Sequence, residues 1–253
     1  MLLPLTIHLT CKAALNTIAS CSLHGLPHLQ AALQSRTTGL LTLSNHISTL
    51  DDPLAWGALP TKYFLSSRTT RWTLGASDVM FTNPLFSAFF RRGQVIETFR
   101  GAGIHQAAVD SAIQKLNERN WVHFFSEGKI NQSDTYPVVD GLARLPRFKW
   151  GVGRVLMESS ALPTILPMWI TGFDQVMPEG RRFPFNYLPR WGKHLSVTFG
   201  APIDLAELEE LRAALQETQE QVAQTRSAVT AVLHDAVEAL GRQVSGDLLR
   251  TPQ

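Results

Sequence analysis

The chain has 253 residues, 44% hydrophobic and 17% charged, which is enough apolar material for one large globular domain. Its net charge of +2 hides an asymmetry: residues 201–253 hold nine acids and four bases, so the first 200 residues carry about +7, and no Asp or Glu precedes Asp51. Two cysteines are too few for a disulfide framework or a zinc site, no run of 18 strongly apolar residues predicts a spanning helix, and no dense Lys/Arg helix points to nucleic acid.

Residues 1–38 open the chain with an apolar, acid-free segment that lacks the Arg content of a transit peptide and the clean core of a signal peptide. It reads as a helix lying in a membrane interface or packed on the domain. "GLLTLS" (39–44) reads as a buried strand. "DDPLAWGAL" then starts a helix, with Asp52 suited to the N-cap and Pro53 to the first helical position. Residues 77–93 read as mostly helical, interrupted near Asn83-Pro84 and ended at Gly93. Strands are expected at 94–99, 121–125, 163–172 and 194–200, and helices at 103–120 and 148–160. The two glycines of the last helix, Gly151 and Gly153, suggest close packing. Pro167 inside an apolar strand should mark an edge or a bulge. Strands thus alternate with helices, the pattern of an α/β layered domain over 39–203. From Asp204 the composition turns to Ala, Leu, Glu and Gln at helical spacing, so residues 204–253 form a helical tail packed on that core.

Four stretches could carry chemistry. In "SNHISTLDDP", His46 follows a strand end, where α/β sheets bind ligands. The five-residue step to Asp51 spans the turn, so the carboxylate can reach one imidazole nitrogen and leave the other free as a base. The plainer alternative is two helix-capping acids and an ordinary loop histidine. In "FFSEGKINQ", Gly128 permits a tight turn beside Glu127, and Lys129 can meet a phosphate. In "ETFRGAG", Arg100 sits where a strand gives way to a helix start, a good place for a phosphate. In "ILPMWITG", Trp169 faces either core or lipid. The aromatics Phe81, Phe86, Phe89 and Phe90, with Trp169, are candidates for membrane contact. Dehydrogenase and serine-hydrolase readings find neither G-x-G-x-x-G nor G-x-S-x-G.

Taken together, the His-x4-Asp spacing, the strand-Arg-Gly, the Phe-x-Glu-Gly and the apolar strand with Pro resemble the glycerolipid acyltransferase superfamily. More narrowly, "SNHISTLDDPLAWG", "RWTLGASDVMFTN", "WVHFFSEGKIN" and "PTILPMWITGFDQVMP" resemble the tafazzin family of mitochondrial transacylases, which remodel cardiolipin. The resemblance covers roughly residues 39–203. It implies a mixed sheet flanked by helices, with His46 as general base, Asp51 as its orienting acid, Glu127 and Gly128 positioning the acyl acceptor, and Arg100 with Lys129 on phosphate. Arg147, Lys149 and Arg154 are weaker phosphate candidates, and Pro167 lies in the last substrate-lining block. Ser126 departs from the family, which carries proline there. Cardiolipin, monolysocardiolipin and phosphatidylcholine are the implied partners at an anionic membrane surface, with no nucleic acid, no cofactor and no metal. The implied location is a mitochondrial membrane, inner or outer, facing the intermembrane space, with monotopic or peripheral attachment. A CoA-dependent lysophospholipid acyltransferase and a non-catalytic lipid-binding protein are the competing readings.

Overall fold

The computed structural model describes residues 3–214 and 218–251. The chain opens with α1 (Leu3–Ile18), β1 (Ala19–His24), α2 (Leu26–Gln34), β2 (Leu40–Ser44) and α3 (Asp51–Ala58). Then come β3 (Trp72–Ala76), α4 (Ser77–Met80), α5 (Pro84–Arg92), β4 (Val95–Thr98), α6 (Ala107–Asn117) and β5 (Trp121–Phe125). A small hairpin, β6 (Val138–Val139) and β7 (Leu142–Ala143), precedes α7 (Gly151–Glu158), β8 (Thr164–Thr171), α8 (Phe173–Val176) and β9 (Lys193–Phe199). The tail is α9 (Ala206–Ala213) and α10 (Gln219–Ser245).

Seven strands form one mixed sheet in the order β1-β9-β8-β2-β5-β3-β4. β8, β2, β5, β3 and β4 run parallel, while β9 and its partner β1 run the opposite way. The α/β class and the C-terminal helices read from the sequence are therefore present. β2 and β8 are near-continuous apolar runs because helices or loops cover both faces of the parallel strands.

Several local expectations change. β1 lies within the N-terminal segment that reads as helical; its half-exposed "ASCSLH" has the mixed pattern of an edge strand. α1 packs on α3, with Lys12 Nζ donating to Leu59 O at 3.2 Å. β3 also escapes the sequence reading, because "WTLGA" is short and carries a glycine. Asp52 is not the N-cap of α3. The helix starts two residues earlier, at Asp51 with Leu50 at its cap, and the Asp52 carboxylate instead accepts from Trp56 Nε1 and pairs with Arg71. α6 starts only at Ala107, since Gly103 takes a positive φ and Gln106 closes the preceding turn onto Gly103 O. Pro167 lies in an interior strand, not at an edge. It is tolerated because the β8–β9 ladder begins only at Met168.

Of the two glycines of α7, Gly153 is the one that packs closely. A Cβ there would stand 2.7 Å from Arg226 O, so a larger residue would push α10 away. Trp169, expected among the membrane contacts, is 1% exposed beneath α10, and its Nε1 donates to Ser245 Oγ at 2.9 Å. A buried indole usually satisfies its N–H with such an acceptor. Trp169 is a core residue.

Candidate active site

β2 and β5 are neighbours, and Ser44 stands in register with Phe125. Two residues beyond each strand end come His46 and Glu127, so the register alone sets these side by side. His46 N donates to Glu127 Oε1 at 2.8 Å, and His46 O accepts from Asn131 N at 2.8 Å. On the other side, the Asn45 amide exchanges two hydrogen bonds with the Ile170 backbone of β8, at 2.9 and 3.0 Å. The loop carrying His46 is thus pinned to both neighbouring strands.

Asp51 folds back as the spacing allows. Its Oδ2 accepts from His46 Nδ1 at 2.8 Å, from Ile47 N at 2.7 Å and from Ser48 N at 2.9 Å. The carboxylate thus fixes the turn and the ring together. A proton held on Nδ1 leaves Nε2 as the basic nitrogen. Nε2 has no protein partner among the described residues, and the ring is 22% exposed. Asp51 itself is wholly buried. Burial pushes its carboxyl up from the ordinary value, against the pull of His46 and the two amides.

The His46 ring stacks on Phe125 at 4.5 Å, and Phe125 forms part of the wall of a cavity of about 730 Å³. That volume suits a small-molecule or single-chain ligand. Its walls are largely apolar, from Leu74, Phe99, Ile104, Val109, Phe124 and Phe148. Arg100, Arg147 and Lys149 add positive charge. Arg100 is exposed and pairs with Asp78 at 3.2 Å.

Glu127 is 2% exposed, and its second oxygen accepts from Asn131 Nδ2. Burial pushes its carboxyl up to about 8, opposed by the hydrogen bond from His46 N. Glu127 therefore ties the His46 loop in place. Gly128 takes φ +72° in the turn that follows, where its N donates to Phe125 O at 3.1 Å. Lys149 lies directly over it: a Cβ on Gly128 would come within 2.8 Å of the Lys149 side chain. Lys129, the nearer residue in sequence, is exposed and outside the cavity wall. Arg154 is committed elsewhere, to Asp110, Glu158 and Ile104 O. Ser126 is buried in the cavity wall, and its O accepts from Lys149 N at 2.8 Å, a bond that holds the turn.

Sequence reasoning missed Asn45 and Asn131, whose roles depend on strand register. It also missed His123, which burial holds well below the ordinary imidazole value and which bonds Thr42 Oγ1 at 2.8 Å beneath the site. Among the membrane-contact candidates, Phe86 and Phe89 are exposed on α5, whereas Phe81 and Phe90 are half-buried. No helix among the described residues is long and apolar enough to cross a membrane. No metal-binding cluster of His, Cys, Asp or Glu occurs among them either.

A family model described as acyltransferase matches residues 22–171, from within β1 to the end of β8. The chain belongs to the acyltransferase family. Among curated proteins, this acyltransferase is 41% identical over 199 residues to the N-acylphosphatidylethanolamine synthase of Arabidopsis thaliana, covering 76% of the chain and 66% of that protein. It is 39% identical over 166 residues to the tafazzin of Drosophila melanogaster, covering 66% of the chain and 40% of that protein. The tafazzin of Saccharomyces cerevisiae is 32% identical over 230 residues, covering 76% of the chain and 59% of that protein. The acyltransferase is thus tafazzin-like, and it spans between 40% and 66% of these relatives' lengths. Its fold is shared with the 1-acyl-sn-glycerophosphate acyltransferase PlsC of Thermotoga maritima. The TM-score is 0.54 at 18% identity, over 94% of this chain and 78% of that one.

Proposed function

We propose that this acyltransferase is a CoA-independent phospholipid–lysophospholipid transacylase that remodels cardiolipin, moving an acyl chain from phosphatidylcholine to monolysocardiolipin. The observation that carries the reading is the Asp51–His46 pair, with Nε2 unpartnered among the described residues beside an apolar cavity rimmed by cations. Nε2 takes the proton of the acceptor hydroxyl as its oxygen attacks the donor's ester carbonyl. The bond from carbonyl carbon to donor glycerol oxygen then breaks. The proton passes from His46 to that leaving oxygen, and lysophosphatidylcholine departs. Ester exchange of this kind needs no acyl-enzyme, and the apolar walls shield the acyl chain while Asp51 stabilises the transient imidazolium.

We assign the headgroup phosphates to Arg100, Arg147 and Lys149, which lie in the cavity wall, with Lys149 in the role that the resemblance suggested for Lys129. A charge-assisted hydrogen bond contributes about 1.5–3 kcal/mol. Lys149→Ala is therefore expected to raise the KM for the phosphate-bearing acceptor about tenfold or more, and Lys129→Ala to leave it within about twofold. Steady-state kinetics of both variants check this, and equal effects would return the role to Lys129.

A second acceptor has support of its own. The relative at 41% identity is named for N-acylphosphatidylethanolamine synthesis, and an amine can surrender its proton to the same His46 Nε2. The deciding assay incubates the chain with radiolabelled phosphatidylcholine without CoA, offering monolysocardiolipin or phosphatidylethanolamine. Labelled cardiolipin supports the ester-forming reading, and labelled amide moves the acceptor to the amine. Label transferred only when acyl-CoA is the donor would replace the transacylase with a CoA-dependent enzyme. The implied site of action is a mitochondrial membrane facing the intermembrane space, with peripheral or monotopic attachment.

A further inference from the structure

The loop between α8 and β9 takes no part in the site, yet it exposes five large apolar side chains within nine residues. Phe183, Phe185, Tyr187, Leu188 and Trp191 are 81, 61, 73, 51 and 63% exposed. Isolated exposed apolar residues are ordinary on a monomer, whereas a cluster of this size marks an interaction surface. The loop is held by hydrogen bonds from two of its backbone amides and one arginine side chain. Arg190 N donates to Val176 O, Gly192 N to Ile18 O and Arg181 Nη2 to Leu188 O, each at 2.8 Å. The rings therefore point outward while the chain beneath them is held.

Its charge tells which partner fits. No acid occurs from Gly180 to Ile203, while Arg181, Arg182, Arg190 and Lys193 lie among or beside the aromatics. Aromatic rings with bases between them suit the headgroup level of an anionic bilayer. The position in the fold agrees. β9 runs antiparallel to β8, so the loop sits at the end of the sheet where β8, β2, β5, β3 and β4 deliver their carboxyl ends. His46 follows β2, and α4 with the exposed Phe86 and Phe89 of α5 follows β3. From β8 to β3 is three strand steps, roughly 14 Å. An aromatic surface thus stands on each side of His46.

We propose that residues 181–193 form a membrane-docking loop that seats the carboxyl end of the sheet, and His46 with it, on an anionic bilayer surface. The inference deepens the lipid-acyltransferase reading and rests on it for its purpose. The bilayer supplies both substrates at the cavity, and docking by this loop sets which end of the sheet faces them.

The test uses the full chain and flotation with phosphatidylcholine vesicles, with and without an anionic phospholipid. The double variant Phe183→Ser/Phe185→Ser is expected to bind both vesicle types about tenfold or more weakly. Arg182→Glu/Arg190→Glu is expected to lose only the added binding to anionic vesicles. Trp191 emission should be quenched by brominated-chain phosphatidylcholine, a signal that Trp191→Phe removes without disturbing the fold. Acyl transfer between short-chain phospholipids in detergent micelles is expected to persist in every variant. Absent transfer in the unaltered chain, with these binding effects intact, would overturn the enzymatic reading and leave docking standing. Unchanged flotation with unquenched Trp191 would overturn docking. So would a concentration-dependent dimer that the phenylalanine variant abolishes while vesicle binding is unchanged, because the loop would then contact a second copy.

Discussion

His46→Ala is expected to lower kcat for acyl transfer about 10²–10⁴-fold, the usual contribution of a positioned general base. KM should change little, because the ring lies beside the cavity and does not line it. The fold should survive, since the ring is partly exposed and Asp51 keeps the amides of Ile47 and Ser48 as donors. Asp51→Asn should approach the same loss by a different route. The amide oxygen can take the place of Oδ2 and keep the bonds from His46 Nδ1, Ile47 N and Ser48 N, but the neutral side chain no longer stabilises the imidazolium that forms as His46 takes the proton. Because the two residues act as one unit, the double variant should be no worse than His46→Ala alone. Steady-state rates with thermal melts of all three variants decide the matter. A kcat within about threefold of the unaltered chain for His46→Ala would remove this histidine from the chemistry.

That pair was legible in the sequence because its geometry is local. Asp51 lies five positions after His46, and the helix that starts at Asp51 leaves the chain between them few ways to run. β5 was legible for a similar reason: "WVHFF" is a short apolar run bounded by a helix end and a glycine turn. What was lost depended on contacts distant along the chain. Lys129 adjoins Gly128 in sequence, yet the lysine lying on that glycine is Lys149, brought there by the segment before α7. Trp169 could face lipid or core as far as periodicity tells, since every position of an interior strand is apolar; α10, about 70 residues on, decides for the core. β1 was hidden because an edge strand need not be apolar, and Ser20, Cys21 and Ser22 announce nothing. The aromatic loop at 183–191 has no helix or strand period to draw notice, and its meaning comes from exposure alone.

Glu127 shows the same limit, and its burial has a measurable consequence. The resemblance assigns Glu127 to the block that positions the acyl acceptor, and the structure has it gripping the His46 loop through His46 N and Asn131. Its carboxyl ionises near 4.5 when exposed and near 8 in the folded chain, where burial is the largest cause. Between those values the folded state keeps a proton that the unfolded state has lost, so stability falls as pH rises through this window. The contribution is fully present below about 4.5 and gone above about 8, a loss on the order of 5 kcal/mol. Glutamine cannot ionise. Its carbonyl can still accept from His46 N, and the Asn131 amide must turn to meet the new NH₂, an offset independent of pH. Glu127→Gln should therefore gain stability relative to the unaltered chain as pH rises from 5 to 8, with a level difference on either side. Titrations of groups remote from Glu127 are common to both proteins and cancel in the comparison. Urea unfolding of both at pH 5, 6.5, 8 and 9 reads the difference directly. A difference that stays constant with pH would mean that Glu127 is already ionised at pH 5, and that His46 shares its loop with two negative charges.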